Sequence, residues 1–267
     1  MSHSKESGAI QLVCDGGLPP PSASEATVSP YVPFAGGLRL QGWTAWRWLP
    51  LALLALAAVA LSADCAIAQW FPQRHYPSIL ADLIQLSEVF GHGVGVILLA
   101  VTIYHLDVGG RFRLPRLLLC SLGAGMAANG VKMLLARTRP RYFEFDGDVL
   151  ATFSGWLPLG RGGSAVQSFP SGHTATAVGL AVVLSCLYPR GRRLFAALAI
   201  LVACQRMQSG SHYLSDVLVA AAVGMVVARA FLEPGWLARQ IERLEARWQR
   251  QPTPSASESG PRLSDAA

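Results

Sequence analysis

The chain has 267 residues, of which 52% are hydrophobic and only 14% charged, with a formal net charge of +6. Soluble domains carry nearer a quarter charged residues, so this depletion excludes an ordinary soluble protein and points to the bilayer. No basic-aromatic cluster accompanies the positive balance, which therefore fits loop charge facing anionic lipid or phosphate and not a nucleic-acid surface.

Residues 1–40 are rich in Ser, Gly and Pro, as in GGLPPPSASEATVSP. Such a segment buries too little apolar surface to offset its ordering entropy, and a disordered cytoplasmic tail is expected. The residues ahead of the first apolar run lack a basic n-region, so no cleaved signal peptide is expected. Cys14 follows no hydrophobic stretch, which argues against a lipoprotein signal. Trp43, Trp46 and Trp48 then precede a long apolar run, as an interfacial aromatic belt would.

Six apolar runs follow, near 49–70, 89–106, 117–136, 173–188, 194–207 and 217–232. The first three are long enough to cross a hydrocarbon core as helices. The last three are shorter, but a compact unit that begins with three spans would not leave the membrane halfway. All six are therefore expected to be transmembrane, giving an all-α, six-transmembrane-helix bundle over residues 41–233.

Arg111, Arg113 and Arg116, then Arg190, Arg192 and Arg193, then Arg229 and Arg239 fall on the side of the N-terminal tail. The positive-inside rule makes that side cytoplasmic, with both termini on it. The first loop opposite has only Arg74, whereas the loop 137–172 breaks the bias with Arg137, Arg139, Arg141 and Arg161.

The segment PGWLARQIERLEARWQRQ puts Leu237, Ile241, Leu244 and Trp248 on one helical face, with Arg239, Arg243, Arg247 and Arg250 elsewhere around it. An amphipathic helix on the cytoplasmic leaflet is expected over 234–250, a short solvated helix being the alternative. Residues 251–267, rich in Ser and Pro, are expected to be disordered. Cys14, Cys65, Cys120, Cys186 and Cys204 show neither metal-ligand spacing nor pairing.

Three segments carry unusual polar residues. In KMLLARTRPR, Lys132 lies inside the third run, with Arg139 seven residues on. Seven residues are nearly two helical turns, so both cations are expected on one helical face, roughly 10 Å apart, before Pro140 ends the helix. An intramembrane lysine is costly and usually functional, although one near a helix end can simply snorkel.

In FPSGHTATA, Ser171 can cap the following helix, and Gly172 lets an anion approach the free N–H groups of its first turn, beside His173. In QRMQSGSHYLSDV, Arg206 ends the fifth run, and His212 and Asp216 open the sixth at i, i+4. Asp216 is then expected to accept one imidazole N–H of His212 and free the other nitrogen to attack, though a purely structural pair would share that spacing. With alternating spans, all of these residues reach one membrane face, together with the arginines that break the charge bias.

Lys132–x6–Arg139–Pro140, Pro170-Ser171-Gly172-His173 and Arg206–x5–His212–x3–Asp216 resemble the three signature motifs of the type-2 phosphatidic acid phosphatase superfamily. One departure stands out: Gln205 precedes Arg206, where that family usually has serine. The resemblance implies that Lys132, Arg139 and Arg206, with the Ser171 hydroxyl and the Gly172 N–H, neutralise the phosphoryl oxygens. It implies that His212 is the nucleophile, that Asp216 orients it, and that His173 is the general acid and then base. Three cations already supply the charge that a metal often brings to phosphoryl transfer, so no metal or other cofactor is expected.

The expected enzyme is an inner-membrane lipid phosphatase whose active site faces the extracytoplasmic side. Phosphatidic acid, phosphatidylglycerol phosphate, undecaprenyl diphosphate and lipid A phosphates all qualify as substrates. A lipid phosphotransferase using the same site and a non-catalytic lipid-binding or transport homologue are the alternatives. A soluble vanadium haloperoxidase would not carry a run such as LALLALAAVALSA. His92 and His105 are expected to be structural, with His92 within reach of a headgroup.

Overall fold

The computed structural model describes residues 44–73, 76–159 and 161–249, all within one compact unit, Pro33–Ala267. The expected tails, 1–40 and 251–267, lie outside the described residues, as do Trp43, Arg74 and Arg250 and the side chain of Trp46.

Among the described residues the fold is mostly helical. Helices α1 (Thr44–Ala60) and α2 (Asp64–Trp70) form the first apolar path. Then come α3 (Ser78–Gly91), α4 (Gly93–Leu106) and α5 (Leu114–Lys132). Two short strands, β1 (Leu135–Arg137) and β2 (Phe153–Trp156), pair antiparallel. Helices α6 (Gly172–Leu187), α7 (Arg192–Gln208), α8 (Leu214–Leu232) and α9 (Trp236–Gln249) complete the chain.

Helix α6 is the central column. Residues 174–184 are buried on every side of it, as suits a helix that is apolar all round. Helices α5, α7 and α8 surround it, α1 lies on α8, and α3 packs against α7 and α6. Small residues set these approaches. A Cβ on Gly179 of α6 would lie 2.1 Å from the Cys120 carbonyl of α5, and one on Gly224 of α8 would lie 2.7 Å from the Ala175 carbonyl. Close backbone approach of this kind is how helices associate where lipid competes for every apolar surface. Gly179→Ala is accordingly expected to cost about 1–3 kcal/mol. A lowered thermal midpoint in detergent would show it, and an unchanged midpoint would count against this packing.

The outer helices present apolar side chains outward, including Leu51 and Val59 on α1, Ile79 and Leu86 on α3, and Leu98 on α4. Two stretches are long and apolar enough to cross a membrane, Arg47–Trp70 and Leu214–Leu232. A third is added if α3 and α4, bent by 75° at their junction, count as one crossing. The structure thus supports a helical membrane protein with two or three candidate spans, a coarser statement than the six expected. Length explains part of the gap, since α6 has only 16 residues and α4 only 14.

Two expectations need correction. The third run is not helical to residue 136: α5 ends at Lys132, and Leu135–Arg137 pairs with β2 instead. Helix α3 begins at Ser78, well ahead of the second apolar run expected from 89, in a stretch expected to be loop. Helix α9 has the expected position, but its buried side is Ala238, Ile241 and Glu245. Glu245 forms a two-bond pair with buried Arg116, at 2.9 and 2.8 Å, while Leu237, Leu244 and Trp248 stay exposed.

Candidate active site

The start of α8 organises the site. Asp216 occupies the third helical position, and one carboxylate oxygen accepts the Tyr213 N–H at 2.9 Å, closing the helix N-terminus. The same oxygen accepts the Ser168 hydroxyl at 2.5 Å, and the other accepts Arg137 Nη1 at 2.5 Å.

Arg137 is wholly buried and serves as the hub. Its Nη2 donates to Asp64 Oδ2 at 2.7 Å, its Nη1 to Ser215 at 2.8 Å and its Nε to Thr152 at 3.1 Å. The guanidinium carbon also lies 4.0 Å from the Tyr213 ring centre and 4.6 Å from that of Phe153. Asp64, buried in the first apolar path, accepts the Ser215 N–H at 3.0 Å and the Ser215 hydroxyl. One cation between two carboxylates, with its donors directed to acceptors, is the form in which buried charge is tolerated.

His212 hangs just ahead of α8, 3% exposed. Its Nδ1 lies 2.6 Å from the Ser168 carbonyl oxygen, and 3.7 Å from Asp216 Oδ2. The expected direct hydrogen bond to Asp216 is therefore absent, because the carboxylate is already turned toward the helix N-terminus, Arg137 and Ser168. Asp216 instead holds the hydroxyl of Ser168, the residue whose carbonyl meets the His212 ring. A carbonyl only accepts, so Nδ1 carries the proton and Nε2 keeps its lone pair. Burial first, then Lys132 and Arg139, lower the His212 pKa to about 4 against the opposing pull of Asp216.

Ser171 caps α6, accepting the Thr174 N–H at 3.3 Å. A Cβ on Gly172 would come within 3.1 Å of Asn129 Oδ1 and 3.9 Å of Lys132 Nζ, so the lysine ammonium stands beside the first turn of α6. Lys132 and Arg139 do not share a helical face as expected, since α5 has ended between them. Pro140 holds Arg139 extended, and its Nε donates to the Ser164 carbonyl at 2.7 Å.

Arg206, at the end of α7, pairs with Glu88 Oε1 of α3 at 2.7 Å. The α3–α4 bend brings His92 near, its ring centre 5.5 Å from that of His173. Through-space interaction links Lys132 with Arg139, Asp216 and Arg206, and His173 with Arg206, His92, His212 and Lys132. The eight residues expected from the sequence are thus gathered in one place.

Sequence reasoning missed Asp64, Ser168 and Glu88 and took Arg137 for a loop charge. Only Asp64 carried a readable signal, as an acid inside an apolar run. Among the described residues, no group of three or more His, Cys, Asp and Glu side chains is arranged to hold a metal ion.

Known proteins bear on this geometry. Residues 114–238 match the PAP2 superfamily. A lipid A 1-phosphatase of Rhizobium etli is 29% identical over 198 residues, covering 67% of this chain and 81% of that protein. A lipid A 1-phosphatase of Rhizobium johnstonii is 38% identical over 102 residues, covering 38% of this chain and 39% of that protein. The crystal structure of the first transmembrane PAP2 type phosphatidylglycerolphosphate phosphatase from Bacillus subtilis superimposes with a TM-score of 0.47 at 18% identity. That superposition covers 77% of this chain and 100% of the other. The matched segment holds Lys132, Arg137, Arg139, Ser168, Ser171, Gly172, His173, Arg206, His212 and Asp216, whereas Asp64 and Glu88 precede it. Residues 114–238 thus carry the PAP2 superfamily match, and the chain is similar to membrane phosphatases of that superfamily.

Proposed function

We propose that this protein hydrolyses a phosphate monoester or diphosphate of a membrane lipid through a phosphohistidine on His212, without a metal ion. The observation that carries this reading is the His212 ring. With Nδ1–H held by the Ser168 carbonyl, Nε2 is a free lone pair in a site shared with Lys132, Arg139 and Arg206.

In this mechanism Nε2 attacks phosphorus while the bond to the leaving oxygen breaks, and His173 gives that oxygen a proton. His173 then takes a proton from water, whose oxygen attacks the phosphohistidine and frees phosphate. Lys132, Arg139 and Arg206, the Ser171 hydroxyl and the Gly172 N–H face the charge that develops on the phosphoryl oxygens. Fixed donors of this kind each contribute about 10²–10³ in rate.

The domain is read as a six-span bundle over 41–233 in the inner membrane, with both termini cytoplasmic and the site at the extracytoplasmic face. Its arginine distribution supports that orientation. Helix α9 lies on the cytoplasmic leaflet, with Leu237, Leu244 and Trp248 toward lipid. Exposed Trp156, Leu157 and Leu159 at the β2 end of the long loop suit a site that meets its substrate at a bilayer surface. The relatives named as lipid A 1-phosphatases make a lipid A phosphate the first substrate to try.

The test is phosphate release by detergent-purified protein in EDTA, with lipid A, phosphatidylglycerol phosphate, phosphatidic acid and undecaprenyl diphosphate. Release from at least one is expected, and silence toward all four, or release abolished by EDTA, would overturn the reading.

The lowered pKa of His212 has a signed consequence. The nucleophile must be neutral, and its protonated form accumulates only as pH falls toward about 4. The acid limb of kcat is therefore expected well below the ordinary imidazole range, and a limb near pH 6.5 would contradict it. Stability follows the same sign. Between about 6.5 and 4 the unfolded chain binds the His212 proton and the folded chain does not, so stability falls as pH is lowered through that window.

A further inference from the structure

One acidic side chain sits among the cations of this site, where a phosphate-binding role gives it no place. Glu88 Oε1 accepts Arg206 Nη2 at 2.7 Å, and Glu88 Oε2 accepts Gln205 Nε2 at 3.0 Å. Gln205 Oε1 in turn accepts Arg206 Nε at 2.5 Å. The three side chains close a ring that fixes the guanidinium and leaves Nη1 outside it. The ring explains why glutamine stands at 205. It must accept from Arg206 and donate to Glu88 at once, which one short hydroxyl side chain cannot span.

Glu88 Oε1 also lies 3.7 Å from His173 Nε2, and it is the one carboxylate within 4 Å of that imidazole among the described residues. His173 needs such a partner. Lys132 from α5, Arg206 from α7, His92 at the start of α4 and His212 ahead of α8 all face it, and the two cations among them oppose a positive charge there.

We propose that Glu88 is a positioning residue with two duties: with Gln205 it aims Arg206, and it sustains the protonated His173 that the leaving oxygen requires. The proposal rests on His173 being the general acid of the phosphatase reading above. No covalent step is added. The proton still passes from His173 to the leaving oxygen, and Glu88 takes no part in that transfer.

The test is the pH–rate profile of purified wild type, Glu88→Gln, Glu88→Asp and Gln205→Ser, on lipid A or whichever of the four lipids the wild type hydrolyses. Glu88→Gln keeps an oxygen for Arg206 but loses the charge. Its alkaline limb of kcat is expected to move down by about one pH unit or more, since a carboxylate at this range favours the protonated imidazole by that much. Glu88→Asp keeps the charge and is expected to hold the limb nearer the wild-type position. Gln205→Ser is expected to raise KM several-fold while leaving the limb in place, because it loosens Arg206 without removing the charge beside His173.

A wild-type profile in Glu88→Gln, or faster hydrolysis at every pH, would overturn the proposal. The second result would mean that Glu88 only competes with phosphate. A wild type that hydrolyses none of the lipids is a different failure, that of the phosphatase reading, and it would remove this inference with it.

Discussion

Arg137→Met is expected to lower stability by about 3–5 kcal/mol, the largest structural effect of any single substitution in the site. Removing the guanidinium leaves the Asp64 and Asp216 carboxylates buried with no cation between them, at 0% exposure each. Both would have to protonate or draw in water, and either response disturbs the α8 N-terminus that Asp216 closes. Arg137→Lys should rescue little, because one ammonium cannot reproduce the fork that meets Asp64, Asp216, Ser215 and Thr152. The double variant Asp64→Asn with Arg137→Met should recover part of the loss by removing one stranded charge. Unfolding followed by tryptophan fluorescence in detergent would check this. A single variant that melts like the wild type would sink the hub assignment.

His212→Ala is expected to reduce phosphate release by on the order of 10³-fold or more, because it removes the lone pair that the proposed mechanism directs at phosphorus. Unlike Arg137→Met, it should leave the fold nearly intact. His212 makes one side-chain hydrogen bond, to the Ser168 carbonyl, and its ring, 3.7 Å from Asp216, donates nothing to the Arg137 bonds that hold the network. The informative measurement joins two readouts, phosphate release and acid-labile labelling of the protein by a radiolabelled lipid phosphate. Wild type should label transiently and the variant should not. Equal labelling would move the nucleophile elsewhere. The companion Asp216→Asn is expected to lose both activity and stability, since Asp216 supports Ser168 and answers Arg137.

The contrast between these predictions follows how much of the site could be read in advance. The three motifs were legible because each is local. Ser171 caps α6 from the position directly before it, and Arg206 and His212 flank a short turn whose ends any fold would keep close. The helical character of the apolar runs was equally legible, except where a tertiary partner outweighed apolarity. Leu135 and Ala136 continue the third run in composition, yet they pair with Trp156 and Gly155 as a strand. The helix 78–91 was hidden for the opposite reason. Its Asp82 and Glu88 interrupt the apolar pattern, although Ile79, Leu83 and Leu86 still face outward.

By itself, then, the sequence determined that this chain belongs in a bilayer, and it offered a side for the arginines and a set of residues for the phosphoryl chemistry. Those properties depend on composition and on spacings of a few residues. Only the tertiary structure decided what holds the reagents in place. Asp64 and Arg137 are 73 positions apart, Gln205 and Glu88 117 apart, and Ser168 and His212 44 apart. Helical periodicity relates residues within two turns and is silent beyond that. It offered Asp216 as the partner of His212, one turn away. Packing supplied a backbone carbonyl from another element, because the carboxylate was already committed to the helix terminus, to Ser168 and to a buried arginine.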